Sequence, residues 1–272
     1  MPSALVAGGS TGQNTQQHQR DDFFTPGGLF RPEELNRPAS GQSVLDQDSV
    51  VGDFGRTYHA YNEGKYLLPN NGAEQDRLDF QHAAFTILLG DRLTLAPIPK
   101  NPQHVLDVAT GTGIRAIEFA DKSPLSHITG TDLSAIQPNN APPNCHFLKD
   151  DAEEEWVFPH KFDYVHLRFV FSCFSDPKNV MRNAFGSMKP GGWIEFQDPF
   201  TNELISVTGL MTCVGTAYQR WGQAVVRGVA AAVGRDIAVA PYYAAWLREV
   251  GFVDVVERRM IWPANPWSED PD

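Results

Sequence analysis

Between residues 104 and 116 the chain runs from His104-Val105-Leu106-Asp107-Val108 through Ala109-Thr110-Gly111-Thr112-Gly113 into Ile114-Arg115-Ala116. A short apolar run bounded by glycines reads as a buried strand, and the segment after it as a helix. Gly111 and Gly113 permit a tight turn that brings backbone close to a ligand, while the free N–H groups opening the helix point at the same space. Strand, glycine turn and helix in this order prepare a cofactor site. The spacing Gly111-x-Gly113-x-x-Ala116 also fits a loosened dinucleotide fingerprint, so a nicotinamide cofactor and an oxidoreductase stay open on these residues alone.

The same unit recurs downstream. Strands are expected at His104–Val108, His127–Asp132, His146–Lys149, Asp163–Phe169 and Trp193–Gln197. Helices are expected at Ile114–Asp121 and Asn179–Met188, the second stopped by Pro190-Gly191-Gly192. Such alternation implies an α/β fold with a Rossmann-like, doubly wound, mostly parallel sheet. A leading helix is expected at Asp76–Gly90. Beyond the sheet, Leu210–Val233 reads as one or two helices, Tyr242–Val250 as a helix ending at Gly251, and Phe252–Ile261 as a strand. Residues 1–50, rich in Gly, Ser, Gln, Asn, Asp and Pro, read as a flexible tail. That leaves 51–272 as one domain, with 51–95 as an N-terminal cap and 201–240 as a helical insertion.

Length and composition narrow the classes further. In 272 residues, 42% of them hydrophobic, there is material for one sheet covered on both faces, which excludes wholesale disorder. With 22 basic against 33 acidic residues the net charge is −11, and such a surface repels phosphate backbones and anionic headgroups. Neither nucleic acid nor a membrane is therefore an expected partner. No apolar run reaches the roughly 18 residues that span a bilayer, and the start MPSALVAGGSTG has no basic n-region, so a cytoplasmic or nuclear location is expected. Cys145, Cys173 and Cys213 are scattered and lack metal-ligand spacing; they read as reduced, packed thiols, and no metal site is expected.

Three aspartates close successive strands. Asp107, near the end of the first, could attract an ammonium group such as that of S-adenosylmethionine, whereas a pyrophosphate would be repelled. Asp132 closes the second, where a carboxylate accepts hydrogen bonds from ribose hydroxyls. Asp151 follows the third, where it could accept from an adenine amino group. Any one of them reads as a turn or helix cap. The three together argue for S-adenosylmethionine over a nicotinamide cofactor, in a site that also takes in Ala109, Gly111, Gly113, Leu133 and Ala152. Tyr58, Tyr61 and Tyr66 could line the pocket or pack in the core. His166 is a weak candidate base for a hydroxyl acceptor, since a histidine on a strand more commonly serves structure.

The chain resembles the fungal LaeA-like branch of the class I S-adenosylmethionine-dependent methyltransferases. The residues carrying the resemblance are Arg56-Thr57-Tyr58-His59-Ala60-Tyr61, Tyr66-Leu67-Leu68-Pro69-Asn70, Glu74-Gln75-Asp76-Arg77-Leu78, Asp107 to Gly113, Gly130-Thr131-Asp132-Leu133-Ser134, Asp150-Asp151-Ala152-Glu153 and Lys189-Pro190-Gly191-Gly192-Trp193-Ile194-Glu195. The resemblance implies a cofactor pocket at the carboxyl edge of the sheet, a lid from Tyr58 to Tyr66, a small-molecule methyl acceptor, and a setting in fungal secondary metabolism. It also admits a non-catalytic regulator working in a complex. Two departures carry consequences. Ala109 replaces a glycine and is compatible with the loop if its φ stays below zero. The resemblance implies a last strand, antiparallel between the fifth and sixth, beyond Trp262-Pro263; no such strand is expected in residues 263–272, so Phe252–Ile261 is expected to lack that neighbour and to recruit a second copy or a heteromeric partner.

Overall fold

The computed structural model describes residues 2–8, 44–200 and 215–262. Among the described residues, nine strands and five α-helices follow in chain order: β1 (Pro2–Gly8), β2 (Val50–Val51), β3 (Thr57–Tyr58), α1 (Gly72–Leu88), β4 (His104–Val108), α2 (Ile114–Lys122), β5 (His127–Asp132), β6 (Cys145–Lys149), β7 (Phe162–Arg168), α3 (Pro177–Ser187), β8 (Met188–Pro199), α4 (Ala217–Val233), α5 (Tyr243–Val250) and β9 (Val253–Arg259).

Seven strands form one sheet in the order β6-β5-β4-β7-β8-β1-β9. The first five are parallel, as the alternation implies. Both faces of this parallel part are covered, so its strands are apolar on both sides. Leu106, Val165, Leu167 and Ile194 pack toward Met181 of α3 and Leu247 of α5, and Val105, Ile128 and Tyr164 pack toward Ala116 and Phe119 of α2. The helix starts follow local chemistry. Asn71 accepts a hydrogen bond from the N–H of Glu74 at the head of α1, and Asp176 accepts from Asn179 at the head of α3, where Pro177 supplies a preset φ. Strand β8 begins earlier than expected, so Pro190-Gly191-Gly192 lies inside it.

Two expectations need correcting. The tail at residues 1–50 is not wholly outside the fold: Pro2–Gly8 enters the sheet as β1, antiparallel to both β8 and β9, with Leu5 opposite Phe196 and Val6 opposite Val256. Residues 44–50 are also placed, where Asp46 accepts from the N–H of Ala135 (3.1 Å) and pairs with Lys149 (2.9 Å). The physical reason is that backbone on two neighbouring strands offers ladder hydrogen bonds to any segment of adequate length, whatever its composition. Consequently β9 does have a neighbour between itself and β8, and the argument for a partner chain from an unpaired Phe252–Ile261 loses its premise. In the expected helical insertion, α4 is present, whereas 201–214 lies outside the described residues. Trp262 packs edge-on to Phe85 at 5.1 Å; Pro263, Pro266 and Trp267 lie outside the described residues.

Candidate active site

Parallel strands in this order leave a crevice beyond their carboxyl ends. A cleft of about 930 Å³, counted with its open mouth, lies there. It is walled by the β4–α2 turn, by the segments after β5 and β6, by the end of β7, and by residues 65–70 with Glu74 and Leu78 of α1. Seven of the ten cofactor residues expected from sequence line it: Tyr66, Ala109, Gly111, Asp132, Leu133, Asp151 and Ala152.

Asp132, the last residue of β5, ties down the glycine turn. Its Oδ2 accepts from the N–H of Gly111 and its Oδ1 from the N–H of Ser134, both at 2.9 Å. Each oxygen keeps a further lone pair for a ligand hydroxyl. Burial pushes its carboxyl up to about 6, against the lowering effect of the Ser134, Gly111 and Leu133 N–H groups. Gly111 adopts φ 61°, a conformation that its missing Cβ makes cheap.

Ala109 departs from expectation. Its φ is 53°, so the condition under which its methyl is harmless does not hold, and the residue sits in the left-handed region. Phe169, immediately after β7 and also on the cleft wall, is strained in the same sense at φ 58°.

Asp107, Gly113 and Tyr58 do not line the cleft. Asp107 is buried beneath the turn. Its Oδ1 faces Arg115 at 2.9 Å and His166 Nδ1 at 2.8 Å, and its Oδ2 accepts from Thr110 Oγ1 at 2.6 Å. Burial alone would raise its carboxyl, but Arg115, with His166 and Thr110, more than offsets this and holds it well below the usual carboxylate range. Its charge is therefore met by partners within the protein. Gly113 caps α2 at φ 78°, and a Cβ there would come within 2.5 Å of Phe147, so it is required for packing. Tyr58 pairs with Val50 in a two-strand hairpin.

His166, the weak candidate base, lies away from the cleft, as a histidine serving structure would. It is only 1% exposed. Burial and the adjacent Arg115 bring its pKa down to about 4, against the upward pull of Asp107. A neutral imidazole sealed under the turn and tied to Asp107 positions that carboxylate; it does not reach an acceptor.

Asp151 lines the cleft but is already engaged. Its Oδ2 accepts from Asn62 Nδ2 at 2.8 Å and pairs with the Lys65 ammonium, while its Oδ1 accepts from the N–H of Glu153 at 2.9 Å. These contacts hold residues 62–65 against the segment after β6. Asn70 adds a second tie, donating to Ser134 Oγ at 3.2 Å. Lys65, Asn70 and Glu74 are also cleft residues: Asn70 and Glu74 stand in motifs that carry the family resemblance and Lys65 lies within the expected Tyr58–Tyr66 lid, but none is among the expected cofactor residues, because only the return of this segment across the sheet edge brings them there. Among the described residues no group of His, Cys, Asp or Glu could hold a metal ion, and no helix is long and apolar enough to cross a membrane.

A strand-ending carboxylate, a glycine turn and a cleft at a parallel sheet's carboxyl edge define a nucleoside-cofactor protein of the doubly wound class. A family model described as a methyltransferase domain matches residues 80–257, and the chain belongs to this family, in its LaeA-like branch. It is 37% identical over 218 residues to the methyltransferase pytC of Aspergillus terreus, covering 80% of this chain and 66% of that one. It is 34% identical over 247 residues to the secondary metabolism regulator laeA of Aspergillus flavus, covering 86% and 64%. It is 32% identical over 244 residues to the probable methyltransferase tdiE of Emericella nidulans, covering 87% and 75%. The chain thus spans about two thirds of the length of the first two relatives. Members of the family use S-adenosylmethionine, which sets aside the oxidoreductase reading.

Proposed function

We propose that this protein is an S-adenosylmethionine-dependent methyltransferase acting on a small molecule of fungal secondary metabolism. The observation that carries the reading is Asp132: a buried carboxylate on the cleft wall, fixed by the backbone N–H of Gly111 in the glycine turn and that of Ser134 after β5, with lone pairs left over for vicinal hydroxyls. When bound, S-adenosylmethionine supplies a methyl group on an electrophilic sulfonium. The residues present fit its nucleoside half: Asp132 for hydroxyls, Leu133, Ile136 and Ala152 for an apolar ring, and Gly111 where a side chain would crowd the ligand. With His166 sealed off, no general base is assigned. Positioning of the acceptor and exclusion of water beneath residues 65–70 carry the rate enhancement on this reading.

The name of the laeA relative, a regulator, favours one second reading: a methyltransferase fold that works within a complex. Binding and turnover separate the two. Titration of S-adenosylhomocysteine into the purified chain should show binding above pH 6. Affinity should fall as pH drops through about 6, where Asp132 takes up a proton and loses acceptor capacity. Asp132→Ala should cost roughly 1.5 to 3 kcal/mol of affinity, the range for hydrogen bonds to a charged group, and remove that pH step. A wild-type protein that does not bind at any pH would sink the methyltransferase reading; binding without turnover on any metabolite would favour the regulator.

A further inference from the structure

Arg168 ends β7, two strand spacings or roughly 10 Å across the sheet from Asp132 at the end of β5. It lies on the cleft wall. Its Nε donates to Gln197 Oε1 at 2.7 Å, and its NH1 lies 3.0 Å from His82 Nδ1. Since a guanidinium only donates, His82 Nδ1 must be the acceptor, which agrees with burial holding His82 below its ordinary pKa. The guanidinium carbon sits 4.8 Å from the centre of the Phe85 ring. The remaining nitrogen, NH2, is shut off from solvent and has no hydrogen-bond partner among the described residues.

The other guanidinium under this site shows what is missing. Arg115 has a carboxylate in direct contact, Asp107 at 2.9 Å. Arg168 meets only neutral acceptors: its link to a charge, Glu195, passes through the Gln197 amide, whose Nε2 donates to Glu195 Oε1 at 2.6 Å. A partly buried guanidinium with one donor shut from water and unused, and no carboxylate in contact among the described residues, is completed most favourably by something anionic. The next residue, Phe169, holds φ 58°, and its N–H is fixed by the carbonyl of Gln197 at 3.0 Å. Strain of this kind in a bulky residue persists where the surroundings over-determine a geometry, commonly at ligand sites.

We propose that Arg168 is the anion-recognition residue of the cleft, holding a ligand carboxylate through its guanidinium at the β7 end. The proposal rests on the methyltransferase reading and deepens it. Two carboxylates could arrive there: the aminoacyl carboxylate of the methyl donor, or one on the acceptor. Guanidinium geometry suits either.

The full-length chain, as wild type, Arg168→Met and Arg168→Lys, is titrated with S-adenosylhomocysteine and with 5′-methylthioadenosine, which has the same nucleoside but no carboxylate. Benzoate and benzamide are then titrated into protein saturated with S-adenosylhomocysteine. If the donor's carboxylate is held, Arg168→Met weakens S-adenosylhomocysteine by roughly 10- to 100-fold and leaves methylthioadenosine unchanged. If the acceptor's is held, the loaded wild type binds benzoate over benzamide by about tenfold or more, and Arg168→Met erases that preference without touching either nucleoside. Either result supports the assignment. Arg168→Lys keeps the charge without the fork and should lose part of the same preference; it carries the test should Arg168→Met not fold. Equal weakening of both nucleosides, or unchanged nucleoside affinities with no discrimination between benzoate and benzamide, overturns the role of Arg168 while leaving the methyltransferase reading intact. Absence of S-adenosylhomocysteine binding by wild type overturns that reading, and this proposal with it.

Discussion

At Ala109 a single methyl group meets a backbone angle that suits glycine. The turn must bend back so that Asp132 can receive the Gly111 N–H, and the chain does this with φ at 53° for Ala109 and 61° for Gly111. A left-handed non-glycine residue costs roughly 1–2 kcal/mol, offset in part by the greater unfolded-state entropy glycine would bring. Ala109→Gly should therefore stabilise the protein by about 1 kcal/mol, read as a rise in the midpoint of chemical denaturation at unchanged slope. A neutral or negative shift would mean that the surrounding contacts of the methyl outweigh its strain. Asp132 shows the opposite trade: its burial raises the cost of its own charge, and on the proposed reading the hydroxyls of a bound cofactor offset that cost.

At the scale of elements, the β4–α2 unit is held by charge as well as by packing. Arg115 on α2 reaches Asp107 on β4, the carbonyl of Leu93 at 3.0 Å and Tyr164 Oη on β7 at 3.2 Å. Two strands, a helix and the preceding loop thus share one guanidinium. Arg115→Ala would leave Asp107 buried with only His166 and Thr110, at a cost of about 3–5 kcal/mol, the range for breaking a buried pair from one side. Asp107 is depressed in the folded state, so the stability it contributes is present above the unfolded carboxylate pKa and is lost as pH falls below it. The deficit of Arg115→Ala, measured by urea unfolding, should accordingly be full at pH 7 and shrink below about pH 4. A deficit independent of pH would show that lost packing, not the uncompensated carboxylate, dominates.

For the whole molecule, closure of the sheet depends on a segment far away in sequence. Strand β1 lies between β8 and β9, pairing along seven positions of β8 from Pro2 opposite Pro199 to Gly8 opposite Trp193. Without it, β8 and β9 would face each other across an empty slot, each with a row of unpaired N–H and C=O groups. Deleting residues 1–8 should lower stability and promote self-association. Light scattering across a concentration series checks this: the mass of the truncated chain should climb with concentration more steeply than that of the full chain. Identical behaviour of the two would show that β1 is dispensable to the sheet.

Local signals were legible in the amino-acid sequence. The 104–108, 127–132 and 253–259 strands, the α2 and α5 helices, and the turn from Ala109 to Gly113 follow from periodicity and from glycines whose conformational demands are local. Asp132 was legible for the same reason, since its place at a strand end fixes where it can point. Tertiary structure decided everything that needed a distant partner. Arg115 and His166, 8 and 59 positions from Asp107, meet that aspartate's carboxylate beneath the turn. Lys65 and Asn62, more than 85 positions from Asp151, claim its carboxylate. The β1 strand could not be read from Pro2–Gly8, whose brief apolar run sits beside a polar, glycine-rich stretch. Ladder hydrogen bonds reward a backbone for the partner it meets, and that partner is specified only once the rest of the sheet exists.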